Sequence, residues 1–165
     1  MMRRSKNRRG ERGAELVEAS VGLVVFLVLL LGIMDFGRAV YEYHFVSSAA
    51  RQAARWASVR GSTCTGLSGG CPATSSNVQT YIRNTLAVGG STGYDAGNIT
   101  ATTTWPKNPT NCPASGPANA PLCDVQVVVN YNFSFVTLAH AHKSFLGGLP
   151  TSFTMSSTSD MIISQ

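Results

Sequence analysis

The sequence predicts an α+β fold: a long N-terminal helix, membrane-spanning in its first half and amphipathic in its second, packed on a small antiparallel sheet. Three observations predict it. Residues 16–34 form an apolar run of 19 positions whose one ionisable residue is Glu18, and at ~1.5 Å per residue such a helix nearly crosses a ~30 Å hydrocarbon core. Further on, Val46, Ala49, Ala50, Ala53 and Ala57 recur at helical spacing on one face, with Arg51 and Arg55 on its polar edge. Later still, Val125, Val127, Val129, Tyr131, Phe133 and Phe135 alternate with Gln126, Val128, Asn130, Asn132 and Ser134. That period of two belongs to a half-buried strand.

Taken in order, residues 1–13 are a polar leader with no apolar period, and they are expected to lie outside the fold. The formal net charge of +5 is all located here, because residues 1–12 hold Arg3, Arg4, Lys6, Arg8, Arg9 and Arg12 against Glu11. The rest of the chain is neutral. Basic residues before an apolar run fix its orientation, with the N-terminus in the cytoplasm and the remainder outside. They do not indicate nucleic-acid binding, since no basic stripe with interleaved aromatics follows.

From Ala14 a proline-free helical pattern continues to about Ser58, some 45 residues, or roughly 68 Å. Gly22, Gly32 and Gly37 are tolerated within it at about 1 kcal/mol each in water. Asp35 and Arg38, three apart where the chain leaves the bilayer, are expected as a surface pair, and Tyr41 and Tyr43 fit an interfacial aromatic belt. The alanine stripe allows close approach of a sheet, so its expected role is packing on its own domain. After Gly61 comes a loop to Ser76. Residues 77–87, with Val78, Ile82 and Leu86 at four-residue spacing and Asn77 as cap, predict a short second helix that Gly89 and Gly90 stop. Residues 98–105 are β-prone, Pro106 ends that strand, and five prolines (Pro106, Pro109, Pro113, Pro117, Pro121) exclude regular structure up to Leu122. A last strand is expected from Ser152 to Ile163. The strands form an antiparallel meander on the amphipathic half of the first helix.

Four cysteines in an exported domain have an oxidising compartment in which to pair. Three pairings exist; the local ones, Cys64 with Cys71 and Cys112 with Cys123, are favoured because each would pin a loop with little apolar content. Separations of seven and eleven positions do not match the short knuckles of a zinc site. No convergent catalytic set can be assembled. Glu42, Asp95, Asp124 and Asp160 are scattered, and His140 and His142 lack a third ligand, as does His44. No phosphate loop, nucleophile elbow or dinucleotide fingerprint occurs. The expectation is a non-enzyme with no cofactor and no metal. An ordinary secretory signal would need a small-residue cleavage site after the apolar run, where residues 35–41 read Asp-Phe-Gly-Arg-Ala-Val-Tyr instead.

Glu18 is the informative residue, since a carboxylate within a membrane helix costs ~2.5–3.5 kcal/mol near the centre unless partnered. Near the helix start its charge also suits the headgroups and the positive end of the helix dipole. Its spacing says more. If the chain is cut after Gly13, Ala14 becomes the terminus and Glu18 the fifth residue. This resembles the prepilin processing signal of type IV pilins and pseudopilins. Residues 32–39, Gly-Ile-Met-Asp-Phe-Gly-Arg-Ala, and residues 49–57, Ala-Ala-Arg-Gln-Ala-Ala-Arg-Trp-Ala, resemble the TadE-like family, the minor pseudopilins of Tad pilus systems. The likeness is closest over residues 12–60. Ala19 departs from it, because pilins of these systems usually place an aromatic residue after the glutamate; that argues against a major filament subunit.

The resemblance implies a pilin-like fold, leader cleavage between Gly13 and Ala14, and assembly through Glu18. The implied partners are other pilin or pseudopilin subunits, a prepilin peptidase, the inner-membrane pilus assembly machinery and the lipid bilayer, with no nucleic acid. The expected organisation is a cytoplasmic leader over residues 1–13, a transmembrane helix over 14–38 and an extracytoplasmic pilin-like domain over 39–165. A permanently membrane-anchored binding or accessory protein that never polymerises is the alternative reading, and a secreted enzyme with a cleaved signal the third.

Overall fold

The computed structural model describes residues 8–86, 96–107, 110, 112–135 and 152–164. Helix α1, Arg8–Ser58, is 51 residues long, about 77 Å at the α-helical rise. It begins earlier than the sequence predicts, so the second half of the leader is helical. No proline or capping residue stands between Arg8 and Ala14, and arginine and glutamate are good helix formers, so nothing halts propagation toward the N-terminus.

The strands are β1, Ile99–Thr104, β2, Asp124–Ser134, and β3, Ser152–Ile162. They form the expected meander in the order β1-β2-β3, both pairs antiparallel. In register, Thr103 faces Val127 on β2, which faces Ser159 on β3. Strand β2 is central, and Val125, Val127, Val129, Tyr131 and Phe133 all point into the core. They pack against the second half of α1, where Val46, Ala49, Ala50, Ala53, Ala54 and Ala57 are at most 1% exposed. With only a methyl group at most of these positions, the sheet can lie close to the helix backbone, as the stripe predicts.

Helix α2, Ser75–Tyr81, starts two residues before the predicted one. Its N-cap is Thr74, not Asn77: the Asn77 backbone N–H donates to Thr74 Oγ1 at 3.2 Å, and the Thr74 N–H donates back to Asn77 Oδ1 at 3.2 Å. This reciprocal box satisfies two donors at the helix start. The helix then widens into a π-helical turn, Ile82–Leu86. Gly89 and Gly90 lie outside the described residues. Side chains from this helix close the free edge of β1. Gln79 Nε2 donates to the Ile99 carbonyl at 2.9 Å, its Oε1 accepts the Ala101 N–H, and Ser75 Oγ donates to the Thr103 carbonyl at 3.0 Å. An edge so occupied cannot recruit another strand.

After β3 the chain returns to the far end of α1. Ser164 N–H donates to the Ser58 carbonyl at 2.9 Å, and Arg60 Nη1 to the Trp56 carbonyl at 3.1 Å. Both groups serve helix-end carbonyls that lack intrahelical partners. Among the described residues no helix or strand lies between Trp105 and Cys123, as the prolines require. Cys64 is bonded to Cys71 and Cys112 to Cys123.

Candidate functional site: the N-terminal helix and its junction with the sheet

The first half of α1 touches nothing else in the molecule. Every large apolar side chain from Leu16 to Met34 is exposed, and an 18-residue window within Gly13–Ser58 has the length and composition to cross a membrane with none of it buried. In water that much apolar surface would cost ~25 cal/mol per Å². Lipid or other helices must cover it.

Gly13, Ala14 and Glu18 all lie on this bare stretch. A side chain built at Gly13 would meet nothing within 4 Å. Glu18 is exposed and makes no ion pair or hydrogen bond among the described residues. One chain therefore brings none of the three to a partner.

The structure does assemble a polar cluster, from the Asp35–Arg38 pair expected on the surface and Glu42, one of the acids expected to stand apart. Asp35 is 3% exposed and Glu42 4%. Arg38 lies between them, its guanidinium 3.7 Å from the Asp35 carboxylate and 3.5 Å from Glu42 Oε1. Positions 35, 38 and 42 fall on one helix face through i,i+3 and i,i+4 spacing. That face turns toward the lower end of β2, and Arg38 stands 5.8 Å from the centroid of the Phe133 ring, within range of a cation–π attraction. The expected surface pair is thus part of a triad whose two acids are buried and whose arginine is half-buried, because the sheet reaches down over the helix to the end of the apolar run. The spacing of Asp35, Arg38 and Glu42 was the available signal; the burial of the two acids depends on a strand almost a hundred residues away.

Burial pushes the Glu42 carboxyl above the usual carboxylate range, against the opposing pull of Arg38 and a hydrogen bond from the Tyr131 hydroxyl. Its second oxygen, Oε2, is buried without a hydrogen-bond partner. Glu42 also lines an open cleft of about 410 Å³ with Met34, Gly37, Arg38 and Tyr41.

The remaining candidate groups do not converge. Asp124 and Asp160 share a shallow cleft with Gln126 on the outer face of the sheet. His44 lies beside Tyr43, ring centroids 6.1 Å apart. Asp95, His140 and His142 lie outside the described residues. Among the described residues no group of three or more histidines, cysteines or acids could hold a metal.

Over residues 13–55 the chain matches the family model described as TadE-like protein, so the likeness read from the sequence is borne out over that stretch. The matched segment includes Gly13, Ala14, Glu18 and the Asp35–Arg38–Glu42 triad. No curated protein and no solved structure is significantly similar to the chain.

Proposed function

We propose that this chain, TadE-like over residues 13–55, is a minor pilin-like subunit, a pseudopilin, for assembly of a Tad-type pilus, and that it is not an enzyme. The observation that carries the reading is the bare apolar half of α1 with Glu18, the acid within its apolar run, unpartnered among the described residues. On this reading the chain inserts in the inner membrane with residues 1–13 in the cytoplasm, residues 14–38 across the bilayer and residues 39–165 outside.

While the leader is attached, its six basic side chains hold the helix start at the cytoplasmic face. The helical turns before Gly13 must open for a prepilin peptidase to reach the bond to Ala14, and Gly10 and Gly13 lower the cost of that, each being about 1 kcal/mol worse than alanine in a helix. Cleavage removes the basic residues and leaves an amine at Ala14. Glu18 of one subunit then pairs with the amine of another. In low dielectric an unpaired charge is expensive, so the pair sets the axial register between subunits.

Replacing Glu18 with alanine tests this. The variant should insert in the membrane as the parent does but no longer support pilus formation or co-purify with pilin subunits. Normal pili from the variant would leave the permanently anchored accessory protein as the better reading.

A further inference from the structure

We infer that the cleft on α1 just past the apolar run is a lipid-headgroup site, which takes the primary ammonium of a phosphatidylethanolamine on the buried Oε2 of Glu42. It goes beyond pilus assembly and rests on the reading above only in requiring that residues 16–34 cross the bilayer.

Depth places the cleft. The continuous apolar run ends at Met34, which is also one wall of the cleft. Helical side chains lean back toward the N-terminus, so the Glu42 carboxylate sits near the level of Arg38, which it meets at 3.5 Å. The cleft therefore opens in the headgroup layer just beyond the hydrocarbon.

Its chemistry selects the ligand. Glu42 Oε2 is a buried acceptor that no group among the described residues serves, and such an atom calls for a donor. An ammonium with N–H bonds satisfies it and adds opposite charge. A choline headgroup has no N–H to give, and a glycerol headgroup carries no positive charge. The Arg38 guanidinium, whose side chain is 35% exposed, faces the same cleft and suits the lipid phosphate. Exposed Met34 and Tyr41 form a lip for the upper acyl chain. Gly37 leaves the floor open, since a side chain built there would meet nothing within 4 Å.

The test is native mass spectrometry of the full-length protein released from phosphatidylcholine nanodiscs mixed with equal parts phosphatidylethanolamine or phosphatidylglycerol. Retained phosphatidylethanolamine should exceed each of the other lipids severalfold. Glu42→Gln should abolish that preference, and so should Gly37→Leu, which adds bulk at a cleft-lining position where a Cβ meets nothing within 4 Å. Equal retention of all three lipids by the parent overturns the site, as does a preference that survives both variants. Alkaline carbonate extraction of the same protein separates the two claims. Release from membranes would defeat the membrane reading itself, whereas a membrane-bound chain indifferent to headgroup defeats this inference alone.

Discussion

The two halves of α1 are one unbroken helix with opposite sequence logic. Before Met34 large side chains surround the helix on every side and none is buried; after Glu42 small ones form a single stripe and nearly all are buried. A helix apolar all round needs a continuous apolar surrounding, whereas a helix with a narrow alanine face needs a single close partner. The chain supplies the partner for the second half, its own sheet, and leaves the first half bare. The triad sits where one regime gives way to the other.

The same substitution should therefore have opposite weight in the two halves. Phe133 is fully buried and Phe26 is 56% exposed. Phe133→Ala should cost the sheet-bearing domain about 3–5 kcal/mol, while Phe26→Ala should leave its unfolding within about 0.5 kcal/mol of the parent. Tryptophan fluorescence in detergent reports this, because Trp56 stacks on Tyr81 with centroids 5.1 Å apart. Equal effects would mean that the domain's stability depends on the membrane half. Adding bulk sharpens the contrast: Ala53→Leu forces three carbons into a face with no room and should cost about 1–3 kcal/mol, whereas Ala19→Leu, at an exposed position, should leave the denaturation midpoint unchanged.

Glycines divide in the same way. Gly70 has φ +111° and its added Cβ would strike the Asn77 side chain that completes the cap of α2; Gly70→Ala should lower stability by about 1–3 kcal/mol. At Gly22 a Cβ meets nothing within 4 Å, so Gly22→Ala should be accepted with no loss of folded domain, as measured by the same fluorescence transition.

The smallest effect concerns pH at the boundary. The folded Glu42 carboxyl holds its proton to higher pH than the unfolded one does. Between the usual carboxylate range and that raised value the folded state binds more protons, so the Glu42 contribution to stability falls as pH rises through the window and returns as pH drops. Urea titrations at several pH values should show this slope in the parent and its loss in Glu42→Gln; identical slopes would mean that burial does not tune Glu42.

Much of this was legible in the residues. Strand β2 could be read almost to the residue because valines and aromatics at period two have no helical reading, and the alanine stripe named its own role. The cap of α2 was misplaced because its box uses asparagine at the third helical position rather than the more familiar glutamate or glutamine. The early start of α1 escaped because nothing in a short basic segment marks a beginning. The burial of Asp35 and Glu42 could not be read locally, since the strand that covers them is distant in sequence. Nor can one chain display the pairing of Glu18, whose proposed partner belongs to another copy.

The account depends most on the leader being removed. Intact-mass measurement of the protein extracted from membranes of piliated cells should find a chain beginning at Ala14. A mass that still includes residues 1–13 in those cells would contradict it, since Glu18 would then have no new amine to meet.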